Sequence, residues 1–161
     1  MPNWCNSEGT VSGPSDIIQA IVDSDFNAEV IRPLGEGATR DTALAAWGTK
    51  WKPDVEVNHF EIDKDKGTGY LSFTMQTAWT PPIALWKYMC SEKECDVEAY
   101  YYEGGCSFCG VFDGEKDHCY DVPETADNPF WDTDHGQEIE DKFAILEEIR
   151  EREREREEED S

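Results

Sequence analysis

Basic residues are scarce in this chain. Lys and Arg number 14 against 37 Asp and Glu in 161 residues, a formal charge of −23. Such a surface repels phosphate, whereas nucleic-acid binders neutralise it with clustered Lys and Arg, so direct DNA or RNA binding is not expected. Long apolar runs are missing too. Nothing approaches the ~20 apolar residues that cross a bilayer, and Met1-Pro2-Asn3-Trp4 has neither the basic nor the apolar stretch of a secretory leader. The expectation is a soluble, cytoplasmic protein without membrane contact. Leu, Ile, Val and Phe together make only 29 residues, which at this charge borders on the composition of disordered chains. Histidine is limited to His59, His118 and His135, none beside a recognisable nucleophile. Pro2, exposed as a secondary amine if Met1 is removed, is a base without visible partners, so no catalytic residue is assigned.

Aromatic residues are plentiful. Six Trp, six Tyr and seven Phe each bury roughly 150–250 Å² when inside, enough for a modest core if the acids lie elsewhere. Six cysteines without a leader favour reduced thiols or a metal site over disulfides.

Residues 3–12 alternate weakly and meet Gly13-Pro14, a strand and turn. Ser15 reads as the cap of a helix with an Ile17, Ile18, Ile21, Val22 stripe. A long irregular stretch with a short helix at Asp41–Trp47 leads to Val55 and Val57 in one phase and Phe60 and Ile62 in the other, which places a bulge at Asn58-His59. After the polar 63–69 turn, Leu71, Phe73, Met75, Thr77 and Trp79 share one face of a strand, with Tyr70, Ser72, Thr74 and Gln76 on the other. Thr80 reads as the cap of a second helix with Pro81 and Pro82 in its first turn. Val97–Glu103 and Cys106–Phe112 form a hairpin. The order β-α-β-β-α-β-β favours an α+β sandwich. Residues 116–137 read as an irregular polar linker with a Pro129-Phe130-Trp131 patch placed to dock on the domain. Residues 138–161 read as a charged helix that frays before Ser161, with Ile139, Phe143 and Leu146 as a candidate dimer seam; oligomeric state stays open. Residues 138–160 hold 12 acids and 5 bases, leaving −16 on residues 1–137.

MPNWC at the start, TVSGP after it, WGTKW at 47–51, F-x-x-x-TAWTPP at 73–82 and the Gly-rich hairpin ending in GVF at 110–112 together resemble the YubB-type ferredoxin-like domain proteins of bacteriophages and plasmids. The resemblance covers residues 1–115. It implies a ferredoxin-like antiparallel sheet with two helices packed on one face, to which an acidic C-terminal helix is added, and it implies no catalytic residues and no iron–sulfur cluster. The segment from Asp117 onward reads as this protein's own elaboration.

Three constellations carry candidate chemistry. Cys90, Cys95, Cys106 and Cys109 have zinc-like spacing, although Cys106 and Cys109 point to opposite faces if both lie in a strand; the alternative is buried or free thiols and no cofactor. Trp47, Lys50, Trp51 and Trp79 read as a pocket for a nucleotide- or sugar-like ligand, or as core fillers in a chain short of aliphatics. The acids of the C-terminal helix, Glu147, Glu148, Glu151, Glu153, Glu155, Glu157, Glu158, Glu159 and Asp160, read as an electrostatic surface for a host protein with a basic site, or as a solubilising face. The leading expectation is a noncatalytic phage or mobile-element accessory protein that binds such a partner, as a nucleic-acid mimic or as a modulator of host function or defence.

Overall fold

Strand β1 (Trp4–Pro14) lies inside a six-stranded sheet of the computed structural model, which describes residues 3–160. Cys5, Ser7 and Val11 on one face of β1 are buried. Gly9 between them admits the next strand so closely that a Cβ would meet the Glu98 carbonyl oxygen. α1 (Ser15–Asp23) presents Ile18 and Ile21 to the sheet. Ser15 does not cap it: Pro14 holds the cap position, and the Ser15 N–H donates to the Gly67 carbonyl in the following hairpin turn at 3.0 Å. The chain then reverses through Asp25 and Phe26 at φ 55° and 58°. That conformation costs an L-residue roughly 1–2 kcal/mol, and Phe26, 1% exposed, recovers it by burying its ring.

α2 (Ala28–Ile31) starts at Asn27, whose side chain accepts from the Glu29 N–H. α3 (Arg40–Trp47) opens with a Thr39–Thr42 capping box and ends on Gly48 at φ 85°. β2 (Asp54–Asp63) and β3 (Thr68–Ala78) form a hairpin whose register shifts between Val57 and His59, where the apolar alternation changes phase. α4 (Ile83–Glu92) buries Leu85, Trp86 and Met89. Thr80 is not its cap either; Pro82 is, and the Thr80 hydroxyl donates to the Gly48 carbonyl at 2.7 Å, tying the end of α3 to the start of α4. β4 (Asp96–Glu103), β5 (Phe108–Phe112) and β6 (Asp117–Asp121) complete the sheet.

The strand order is β2-β3-β1-β4-β5-β6 and every neighbouring pair is antiparallel. Strands β1 to β4 with α1 and α4 make the ferredoxin-like βαββαβ arrangement, and β5 and β6 extend it at one edge. Residues 116–137 are therefore not an irregular linker. They contain β6, a 3-10 turn at Pro129–Asp132 and the start of α5 (Asp134–Phe143). β6 is too short and polar to announce itself by alternation, and it exists because β5 offers a free edge. The C-terminal helix breaks at Ala144, φ 52°, into α5 and α6 (Ile145–Asp160), and α6 remains helical to Asp160.

Two cores result. α1 and α4 cover one face of the sheet over Val11, Leu71, Phe73, Met75, Val97, Ala99 and Phe112. On the other face Trp131, Ile139, Ile145 and Ile149 cover Cys109 and Val111, with Tyr100, Tyr102 and Tyr120 packed around them. The Pro129-Phe130-Trp131 patch does dock, through Trp131. Ile139, the first residue of the expected dimer seam, is buried against its own sheet.

Two substitutions test this packing. Ile149→Ala should cost about 2–5 kcal/mol by opening a cavity in the second core. At Gly110 a Cβ would overlap the buried Tyr101 ring, so Gly110→Ala should cost about 1–3 kcal/mol. Both are read from urea denaturation midpoints, and unchanged midpoints would refute the two-core assignment.

Candidate functional site

Acidic surface is the property that the fold organises most clearly. The inner side of α6 buries Ile145 and Ile149. Glu148 accepts from the Tyr102 hydroxyl at 3.0 Å and lies 3.7 Å from Arg152, and Glu153 accepts from the Ala126 N–H at 3.0 Å. Two of the nine acids proposed from sequence thus hold the helix to the domain. Glu147, Glu151, Glu155, Glu157, Glu158, Glu159 and Asp160 are exposed along its length.

A second acidic area was not read from the sequence. α5 and α6 cover only the β4–β6 half of the second sheet face. Over β2, β3 and β1, residues Asp54, Glu56, Glu61, Tyr70, Thr74, Gln76 and Asn6 are exposed, with Glu8, Thr10 and Ser72 half-buried. Side chains on it bond to one another, Asn58 to Thr74 at 2.7 Å and Gln76 to Asn6 at 3.1 Å. The alternation of β3 was visible in the sequence, but what covers each face was not.

The tryptophan set does not converge. Trp47 is 2% exposed, sits in the first core and spends its indole N–H on the Arg32 carbonyl. Trp51 is exposed beneath Arg40, 5.9 Å from its ring. Only Lys50 and Trp79 meet, with Nζ 5.4 Å from the ring centroid. Trp79 at φ 70° donates its N–H to the Asn3 carbonyl, and the Thr49 hydroxyl donates to the Ala78 carbonyl. The sequence motifs at 3–5, 47–51 and 77–82 therefore meet at one end of the sheet as a hydrogen-bonded junction.

The four cysteines are dispersed as well. Cys95 belongs to the first core, Cys109 to the second on the opposite sheet face, Cys90 is half-buried and Cys106 lies exposed in the β4–β5 turn. Cys106 precedes β5, so the turn and not strand alternation keeps it apart from Cys109. Among the described residues no group of three or more His, Cys, Asp or Glu is placed to hold a metal ion. Burial pushes the thiols of Cys5 and Cys109 up to about 12 and that of Cys95 to about 11, so none is a ready thiolate.

One polar cluster was not read from the sequence. In the β5–β6 turn the Asp113 carboxylate accepts the N–H groups of Lys116 at 2.7 Å and Glu115 at 2.9 Å and lies 2.8 Å from His118 Nε2. The His118 and His135 rings are 4.9 Å apart, and His135 Nδ1 is 2.6 Å from the Tyr120 hydroxyl. The i, i+2 spacing of His118 and Tyr120 was the available signal. The cluster joins β6 to the first turn of α5. Pro2 lies outside the described residues.

Residues 46–159 match the model of a family described as the ferredoxin-like domain in Api92-like protein. The chain belongs to this family. No curated protein and no solved structure matches it. The family match runs through β6, α5 and nearly all of α6, so the segment from Asp117 onward is part of the Api92-like domain and not an elaboration outside it. No described helix is long and apolar enough to cross a membrane.

Two measurements follow from this geometry. In native protein Cys106 and Cys119, both exposed, should react with a thiol reagent, while Cys5, Cys95 and Cys109 should react only after unfolding; early labelling of Cys109 would contradict the second core. The Lys116 N–H, His118 and the Glu115 N–H hold the Asp113 carboxyl below the usual carboxylate range. A depressed carboxyl stabilises the fold above its unfolded pKa near 4 and loses that contribution as pH falls. Asp113→Asn should therefore lower stability at pH 7, by less than about 1 kcal/mol for so exposed a group, with the gap closing in strong acid; a pH-independent gap in urea titrations would refute the carboxylate's role.

Proposed function

We propose that this Api92-like protein is a noncatalytic accessory protein that binds a basic surface of a partner protein through its acidic face. The observation that carries this reading is the anchoring of α6. Ile145 and Ile149 in the core, Glu148 on Tyr102 and Glu153 on Ala126 hold the helix as a fixed rod, so its exposed acids are displayed at set spacings and not on a loose tail. Preset charge lowers the ordering cost of association and steers a cationic partner. The likeness of MPNWC, WGTKW and TAWTPP to the YubB-type proteins supports an origin in a phage or plasmid, and with it a host protein as partner in the host cytoplasm. A partner that itself binds nucleic acid offers the complementary basic site. The sequestering of a nucleotide or sugar between tryptophans is less well supported, because Trp47 is spent in the core.

Affinity capture from bacterial lysate tests the proposal, using the full chain and a chain ending at Arg154. Ending it at residue 137 would remove Ile139, Ile145 and Ile149 from the second core and confound binding with unfolding. The expected result is one enriched protein whose affinity falls at least about fivefold on removal of residues 155–161 and again as salt is raised. A partner that is indifferent to both but lost in Lys50→Ala would overturn the acidic reading in favour of the Lys50–Trp79 junction.

A further inference from the structure

The second face of the sheet is half dressed. α5 and α6 lie over β4, β5 and β6, and among the described residues no helix lies over β2, β3 and β1. The bare half has the dimensions of one more helix. β1 and β3 are 11 residues each, about 35 Å long at ~3.3 Å per residue, and the floor from β2 to β4, where the wall of α5 begins, is three strand spacings or about 14 Å. An α-helix with its side chains is ~10–12 Å across. At the foot of α5 this floor deepens into a groove of about 430 Å³ lined by Glu8, Thr10, Asn58, Tyr70, Tyr100 and Lys142.

Charge selects the occupant. Glu8, Asp54, Glu56, Glu61 and Glu98 face this area; the lysines beside them are Lys142 on the wall and Lys64 and Lys66, which share the cavity at the β2–β3 turn with Glu61, Asp63, Asp65 and Tyr70, and His59 lies 3.3 Å from Glu61. Lys142 already lies over the Tyr100 ring, 5.6 Å from its centroid, and Tyr70, 39% exposed, offers a similar ring to an incoming cation. A second copy of this chain, itself at −23, would bring like charge to the same surface. A partner strand has no backbone to pair with here, because the groups on a sheet face are spent between strands; recognition must come from side chains projecting downward, which a helix supplies at i, i+3 and i+4.

We infer that the uncovered half of this face seats a helix of the partner protein that carries Lys and Arg along one side, completing the layer begun by α5 and α6. This rests on the acidic-surface reading above and adds the sheet face to the α6 acids as a second contact with the same partner.

The test is an NMR titration of the full chain at low salt with a synthetic 18-residue helical peptide bearing Lys and Arg on one face. A control peptide has the same composition, with the cations distributed around the helix. The expected result is movement of the Glu8, Thr10, Ser72 and Thr74 amides by the first peptide, at least about fivefold tighter than the control. Affinity should fall at least about fivefold in Glu56→Lys with Glu61→Lys, two exposed positions on β2, and the same amides should still move when the chain ends at Arg154. Movement confined to α6, or equal binding of the control, overturns the helix seat while leaving the acidic-surface reading in place. No binding of either peptide overturns both.

Discussion

A line of four buried rings holds the molecule together. Phe26 meets Phe73 at 5.2 Å, Phe73 meets Trp86 at 6.3 Å and Trp86 meets Phe112 at 5.8 Å, all tilted, the geometry that aromatic quadrupoles prefer over stacking face to face. With few aliphatic residues to spend, the chain builds its first core from this line, which crosses the exit of α1, the middle of β3, the inner side of α4 and the end of β5. Phe26 accepts a left-handed backbone to join it. Phe112 is its far end, and through Phe112 the fifth strand becomes part of the core.

That attachment makes the second core necessary. β5 alternates between the two sides of the sheet, with Phe112 on the first core and Cys109 and Val111 on the second. An apolar pair exposed on the second face would cost free energy, and Trp131, Ile139, Ile145 and Ile149 cover it. The same contacts seat the first turns of α6 on the sheet. Because β1 and β3 carry polar residues on that face, nothing compels a helix to extend over them, and the acidic half-sheet stays open. Packing need on one half and its absence on the other thus set both acidic surfaces, the helix and the floor beside it.

Much of the fold was legible from local pattern. Strict alternation in β3, the phase change at Asn58, the Ile stripe of α1 and the charged helix were all readable, because each is a property of neighbours along the chain. The caps were misread. Ser15 and Thr80 look like helix caps locally, yet their backbone or hydroxyl groups bond to Gly67 and Gly48, partners far away in sequence. β6 was missed for the same reason, since its pairing belongs to β5. The Trp and Cys sets do not come together as spacing suggested, because spacing cannot say which face a residue occupies, and the structure sends Trp47 inward and puts Cys95 and Cys109 on opposite sides of the sheet.

By itself the sequence determined the charge and the α+β order of elements up to β5, which follow from composition and short-range periodicity, and its aromatic, Gly and Pro motifs carried the resemblance to a ferredoxin-like family. Tertiary structure alone decided which acids are held and which are displayed, that α5 and α6 close only half of the second face, and that Asp113, His118, His135 and Tyr120 come together. Those outcomes depend on contacts between residues tens of positions apart, whose free energy appears only when the sheet has assembled and its two faces have competed for the few apolar side chains available.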